Sequence, residues 1–284
     1  MRFITYRTGD GEGIAIRSGM GYRGLPISQL SGDLKSFLHD DGALADLAAK
    51  LGDAPEFSLS DVTLLPPVSN PDKILCIGLN YADHSAESGF EVPTYPAVFA
   101  RFANSLIAAG DPLIRPGASD MLDYECELAV VIGKGGRHIA EAQALVHVAG
   151  YSIFNDGSVR DFQIKSPQWT MGKVFDGTGA FGPELVTSEE LPEGCDGLRI
   201  RTILNGEVLQ DANTRDLIFN VAKLIAILSE GMTLNPGDVI VTGTPGGVGA
   251  LRDPRIWLKP GDECTIEIEQ IGSLTNTVAQ ESVL

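Results

Sequence analysis

The sequence predicts a β-rich α+β protein, with strands outnumbering helices. Three observations carry that expectation. Short apolar runs bounded by Gly, Pro and Asn recur along the chain. Few stretches hold a helical period, and strand and helix signals do not alternate as βαβ units would, which favours a mostly antiparallel or mixed sheet over a doubly wound one.

In chain order, Arg2–Tyr6 and Gly13–Arg17 read as strands broken by glycine clusters, and Leu44, Leu47, Ala48 and Leu51 give Gly42–Leu51 a helical face. The stretch SLSDVTLLPPVSNPDK, stiffened by Pro66, Pro67 and Pro71, reads as a boundary between a small N-terminal α/β domain (residues 1–70) and a larger domain (71–284). KILCIGLN (73–80) and ELAVVIGK (127–134) are buried-strand runs. RIRTILNGEVLQ (199–210) is a hairpin turning on Asn205-Gly206, a pair suited to a type I′ turn. A helix is expected over Thr214–Glu230, with Leu217, Val221, Leu224 and Leu228 on one face and Gly231 ending it. GDVIVTGT (237–244) and DECTIEIEQIG (262–272) each follow a Pro-Gly turn as strands, and an Ala-rich surface helix is expected between His138 and His147.

The 284 residues are enough for one large core, and 43% hydrophobic with 21% charged residues excludes wholesale disorder. A net charge of −17 argues against a sequence-independent grip on nucleic acid or on anionic lipid. No run approaches the ~18 apolar residues of a membrane span, and MRFITYRTGDGEG lacks the apolar core of a signal peptide. Cys76, Cys126, Cys195 and Cys264 have no metal-type spacing and are expected to be reduced thiols, so a soluble cytoplasmic protein is expected.

The chemistry-bearing candidates come in separated segments. In LDYECELAVVIG (122–133), a strand would put Glu125 and Glu127 on one face, about 7 Å apart along the backbone, with Asp123 nearby. Taken alone the pair is a weak signal, since a solvated strand face with incidental acids is the default reading. Asp156, in an Asn-Asp-Gly turn after an apolar strand, would complete an all-oxygen site suited to Mg²⁺ or Mn²⁺, or be no more than a turn residue. In GLNYADHSAESG (78–89), one helical turn would bring Glu87 to His84 and make a general base between two glycines, as in a lid; the alternative is a surface histidine beside a glutamate. Lys173 lies in the apolar stretch PQWTMGKVFDGTGAFGP (167–183) and needs an anionic partner, either a substrate or a structural Asp. Gly177, Gly179 and Gly182 spell GxGxxG, but Pro183 stands where a dinucleotide-binding helix would begin. The loop VTGTPGGVG (241–249) offers backbone N–H groups to a carboxylate or oxyanion and lacks the Lys-Ser/Thr of a P-loop.

Taken together, NYADHSAE, PAVFARFANSL, LDYECELAVVIGK, FNDGSVRDFQ, QWTMGKVFDGTGAFGP, LNGEVLQDANT and VTGTPGGVG strongly resemble the fumarylacetoacetate hydrolase family over about residues 71–284. The resemblance implies a mixed β-roll or pseudo-barrel catalytic domain, assembled as a homodimer. It implies Mg²⁺ or Mn²⁺ held by Glu125, Glu127 and Asp156, and a His84–Glu87 lid pair. Lys173 and Gln163 match the family's catalytic lysine and glutamine. Arg101, where many members carry Lys, Tyr124 and Thr244 are the implied substrate contacts. The implied reaction is hydrolysis of a 2,4-dioxo acid to pyruvate and a carboxylic acid. Oxaloacetate decarboxylation and isomerisation or hydration of a 2-oxo-diene acid are the alternatives on the same site, and an acidic Ca²⁺-binding module is the non-enzymatic one.

Overall fold

The computed structural model describes residues 1–39, 41–87, 89 and 91–282. The N-terminal segment forms β1 (Arg2–Thr8), β2 (Gly11–Ser18), β3 (Gly21–Pro26), α1 (Asp41–Gly52), β4 (Glu56–Phe57) and β5 (Thr63–Leu65). Next come β6 (Ile74–Gly78), the short α2 (Ala82–Glu87), β7 (Ala97–Arg101), β8 (Leu106–Ile107), β9 (Leu113–Arg115), β10 (Leu122–Asp123) and β11 (Cys126–Ile132). These are followed by β12 (Val148–Asp156), β13 (Ser158–Val159), α3 (Arg160–Gln163), β14 (Gly179–Thr187), β15 (Arg199–Leu204) and β16 (Glu207–Asn213). The chain ends in α4 (Val221–Gly231), β17 (Val239–Val241), β18 (Glu263–Ile268) and β19 (Gly272–Gln280). The predicted β-rich α+β class holds.

The spine is a twelve-stranded mixed sheet in the order β4-β3-β2-β1-β14-β12-β11-β17-β6-β7, with β5 on β1 and β8 on β14. A five-stranded sheet, β16-β15-β18-β19-β9, covers one face. Strand β1 joins the large sheet by pairing with β14, Arg2 opposite Val186, so residues 1–65 share that sheet with the later strands. Strand β11 is buried along its whole length. Leu128, Val130 and Ile132 enter the core shared with the five-stranded sheet and α4, whereas Ala129 and Val131 enter a second core capped by Leu44, Leu47 and Leu51 of α1. A strand covered on both faces reads as a continuous apolar run, which is why ELAVVIG shows no alternation.

Several expected elements shift. The helix expected over 214–230 starts at Val221, because the Asn220 side chain accepts the Lys223 N–H and caps it there. Upstream, Thr214–Asp216 is a single 3₁₀ turn and Leu217 bridges to Tyr81. The surface helix expected before His147 is a 3₁₀ stretch, Glu141–His147. The Pro-rich boundary segment contains β5, and β3, β7, β9, β14 and β19 add strands not expected from the pattern. The hairpin at Asn205-Gly206 is present, both residues at positive φ. The glycines at 177–182 lead into strand β14 rather than a helix.

One buried side chain holds the approach to the site. The Asn80 amide donates to the carbonyls of Phe219 (3.0 Å) and Thr242 (2.7 Å), and its oxygen accepts the Phe219 N–H at 2.8 Å. Asn80→Ala leaves these backbone groups buried without partners. It should lower unfolding stability by roughly 2–4 kcal/mol in urea titrations; a loss below about 1 kcal/mol would show that the neighbouring backbone repacks without it.

Candidate active site

The site stands where the antiparallel pair β11–β12 ends. Cys126 pairs with Asn155 and Glu127 with Phe154, so Glu125 lies across from Asp156, whose N–H donates to the Glu125 carbonyl at 3.0 Å. Glu125, Glu127 and Asp156 each present an oxygen within 4.8 Å of the others, and all three are buried. Asp123 does not join them. Its carboxylate accepts the N–H groups of Gly249 (2.8 Å) and Ala250 (2.9 Å) and binds Arg160.

Three cations answer these acids. The Lys173 ammonium, 1% exposed, lies 2.6 Å from Glu125 and 2.5 Å from Asp156. Its anionic partner is therefore the acid cluster itself. Arg160 reaches Asp123 at 2.7 Å and Glu125 at 2.8 Å. Arg101, fully enclosed, donates to Asp156 (2.6 Å), Thr178 (2.8 Å), Ser105 (3.2 Å) and the Gly157 carbonyl (3.1 Å).

Four carboxylates thus face three cations, and the imbalance falls on Glu127. Burial would raise Glu125 too, but Lys173 and Arg160 outweigh it and hold that carboxyl well below the usual range. Glu127 has no cation in direct contact; burial first, then the charges of Asp156 and Glu125, push it far above the normal range against the pull of Lys173 and the Gly243 N–H. Three converging buried oxygens with a surplus of negative charge are the donor set that Mg²⁺ or Mn²⁺ takes.

A cavity of about 450 Å³ opens onto the cluster, lined among others by His84, Glu125, Glu127, Arg160, Gln163, Lys173 and Thr244, with Ile77, Phe99, Trp169 and Val248 as apolar wall. Gly78 is what lets Trp169 close one side, since a Cβ there would stand 2.1 Å from the indole. Helix α2 brings His84 into this wall; its Nδ1 lies 2.9 Å from Glu87 Oε1. Glu87 in turn accepts the Gly247 N–H at 3.0 Å. Burial raises the Glu87 carboxyl, but the bonds from His84 and Gly247 keep it below the usual range. Ser88 of the expected lid segment lies outside the described residues. The loop VTGTPGGVG does hold carboxylates through its N–H groups, but they are the protein's own: Glu127 on Gly243, Glu87 on Gly247 and Asp123 on Gly249. Gly243 sits at φ +103, and an added Cβ would meet Asn80 at 2.7 Å, so the turn that aims its N–H at Glu127 needs glycine.

Two expected substrate contacts are placed elsewhere. Arg101 does not line the cavity; its donors are spent behind Asp156, which makes it a support of that carboxylate. Tyr124 is fully buried and donates its hydroxyl to the Gly247 carbonyl at 3.1 Å, bracing the loop. Thr244 and Gln163 do face the cavity, Thr244 accepting from Gln210 at 2.8 Å and Gln163 from Arg160 at 3.0 Å. Asn80, Gln210 and the backing role of Asp123 were missed, because an isolated Asn or Gln carries no spacing signal.

Sheets, cluster and cavity define a member of the fumarylacetoacetate hydrolase family, and the chain belongs to it. The family model described as fumarylacetoacetate (FAA) hydrolase C-terminal matches residues 73–279. The chain is 45% identical over 234 residues to human (Homo sapiens) mitochondrial oxaloacetate tautomerase FAHD2A, covering 82% of this chain and 73% of that protein. Among solved structures it resembles 2-hydroxyhepta-2,4-diene-1,7-dioate isomerase from Mycobacterium marinum (TM-score 0.78, 31% identity, 100% of both chains). It also resembles maleylpyruvate hydrolase from Sphingobium sp. SYK-6 in complex with manganese(II) and pyruvate (TM-score 0.83, 28% identity, 99% of this chain and 100% of that one). Among the described residues no helix is long and apolar enough to cross a membrane.

Glu127 gives a test with a defined sign. A carboxyl whose folded pKa lies above its unfolded value, about 4.3, adds stability in acid and loses it as pH rises through that window. Glu127→Gln keeps the acceptor for Gly243 and removes the charge. With a chelator present, its melting temperature should exceed that of the wild type at neutral pH, the gap closing as pH falls toward about 5. Mn²⁺ at a hundredfold its dissociation constant should raise the wild type by about 2.7 kcal/mol, near 5 °C, and leave the variant unmoved. A variant still stabilised by Mn²⁺ would remove Glu127 from the ligand set.

Proposed function

We propose that this chain is a divalent-metal-dependent enzyme that moves a proton between carbon and oxygen of a small 2-oxo acid, with keto–enol tautomerisation of oxaloacetate as its reaction. The observation that carries this reading is that His84, held by Glu87, lines the same cavity as Glu125 and Glu127, the two glutamates that cluster with Asp156. The identity to FAHD2A, an oxaloacetate tautomerase, supports the choice of reaction.

In this reading Glu125, Glu127 and Asp156 hold Mg²⁺ or Mn²⁺, which supplies Lewis-acid polarisation of the substrate's 2-oxo group. Glu87 is a positioning residue: it fixes the imidazole through Nδ1. His84 then uses Nε2 to take the proton from C3 of the keto form and deliver it to the 2-oxo oxygen, giving the enol, and makes the opposite transfer in the reverse direction. Lys173 and Arg160 keep Glu125 ionised, Lys173 also bonds Asp156, and Arg101 holds Asp156 from behind, so these carboxylates are fixed as ligands. Gln163 and Thr244 orient the substrate carboxylate. The wall of Ile77, Phe99, Trp169 and Val248 keeps bulk water from competing for the proton.

The expected hydrolysis of an acylpyruvate is the second reading. It is favoured by the likeness to maleylpyruvate hydrolase and by a cavity larger than oxaloacetate needs. There the same His84 would deprotonate a water rather than C3.

Ultraviolet absorbance of the enol separates the readings. With Mn²⁺ or Mg²⁺, the wild type should accelerate enol-oxaloacetate decay, and His84→Gln should slow it by roughly 10²–10⁴-fold while keeping the metal-induced rise in melting temperature. Turnover of acetylpyruvate instead would favour hydrolysis. No turnover of either class would refute both.

A further inference from the structure

Among the described residues that line the cavity, Arg255 is a cation whose charge no acid answers. Lys173 and Arg160 are committed to Glu125, Asp156 and Asp123. Arg255 also lines the cavity, yet among the described residues it has no ion-pair or hydrogen-bond partner.

Its placement is set by the backbone. The segment before β18 lies outside the strands and helices and is fixed by two backbone hydrogen bonds. The Ile256 N–H donates to the Gly249 carbonyl at 3.0 Å and the Leu258 N–H to the Leu122 carbonyl at 2.8 Å, pinning the segment to the loop that binds Asp123 and to the strand that carries it. Ile256 packs against the core and Leu258 is fully buried in it, so Arg255 and Trp257 face the cavity. Around them the lining carries exposed apolar side chains, Met121, Ile164 and Leu251. An exposed guanidinium in an apolar rim is a receptor for an anionic group reaching outward from a molecule seated on the acid cluster.

We propose that Arg255 is a specificity-determining residue that binds a second carboxylate at the far end of the substrate, so that the site prefers 2-oxo diacids to 2-oxo monoacids of the same length. This rests on the reading that the cavity takes a 2-oxo acid at the acid cluster. It adds the residue that reads the other end.

The test compares 2-oxoglutarate with 2-oxovalerate, which carries a methyl in place of the distal carboxylate. Binding to the Mn²⁺-loaded full chain is followed by calorimetry, so no turnover is needed. The wild type should bind the diacid about five- to tenfold more tightly, the range of a partly exposed charge-assisted contact. Arg255→Gln should equalise the two ligands with monoacid affinity unchanged, and Arg255→Lys should restore part of the preference. Equal wild-type affinities, or a Gln variant that weakens both ligands alike, would overturn the role of Arg255 and leave the 2-oxo acid reading standing. Failure of both ligands to bind the loaded wild type would overturn that reading and this proposal with it.

Discussion

Everything at the site follows from burying four carboxylates at the end of two core strands. Asp123, Glu125, Glu127 and Asp156 are each nearly or wholly out of water. Unpaired ions in such a place cost several kcal/mol each, so the chain surrounds them with cations and N–H donors. Lys173 bridges Glu125 and Asp156, Arg160 bridges Asp123 and Glu125, and Arg101 closes the back of Asp156. What the cations leave unanswered goes to the loop after β17. Its N–H groups at Gly243, Gly247 and Gly249 hold Glu127, Glu87 and Asp123 in turn. That loop therefore ties the acid cluster to helix α2. The position of His84 over the cavity is an indirect consequence of where the buried charges had to be satisfied.

Much of this was legible in the sequence, for identifiable reasons. Glu125 and Glu127 share a face because a strand repeats every two residues, and Asp156 joins them because an apolar strand ends in a turn. His84 and Glu87 meet because they are three apart in a helix. The two pairings follow short-range rules, whereas the meeting of Asp156 with the glutamates needs the β11–β12 pairing and was expected from the family resemblance. The misplacements have the opposite character. Arg101 and Tyr124 were expected at the substrate, but which way a side chain turns depends on partners 55 and 123 residues away, Asp156 and Gly247. Asp123 stands beside the glutamate pair in the sequence, but the loop N–H groups, more than 120 residues later, take its oxygens. The helix boundary at Val221 was misread because Leu217 continues the apolar period, while Asn220 decides the start by capping. Strands such as β7 and β14 were missed since Gly and Pro interrupt or flank them and their pairing is non-local.

The same architecture explains how relatives bearing the names tautomerase, isomerase and hydrolase can share a fold. In this chain the acid cluster and its cations are fixed by the energetics of charge burial. What is left free is what the imidazole of His84 meets on the other side of the cavity. If a carbon acid stands there, proton transfer to and from that carbon is the whole reaction; if a water is held there beside a carbonyl, the same nitrogen starts a hydrolysis. On the reading proposed here, the choice falls to the outer cavity, where apolar side chains and Arg255 decide how the far end of the substrate is oriented and whether room remains for a water. The buried charges give the reactive end of the site its fixed geometry, and its selectivity belongs to residues that the fold does not depend on.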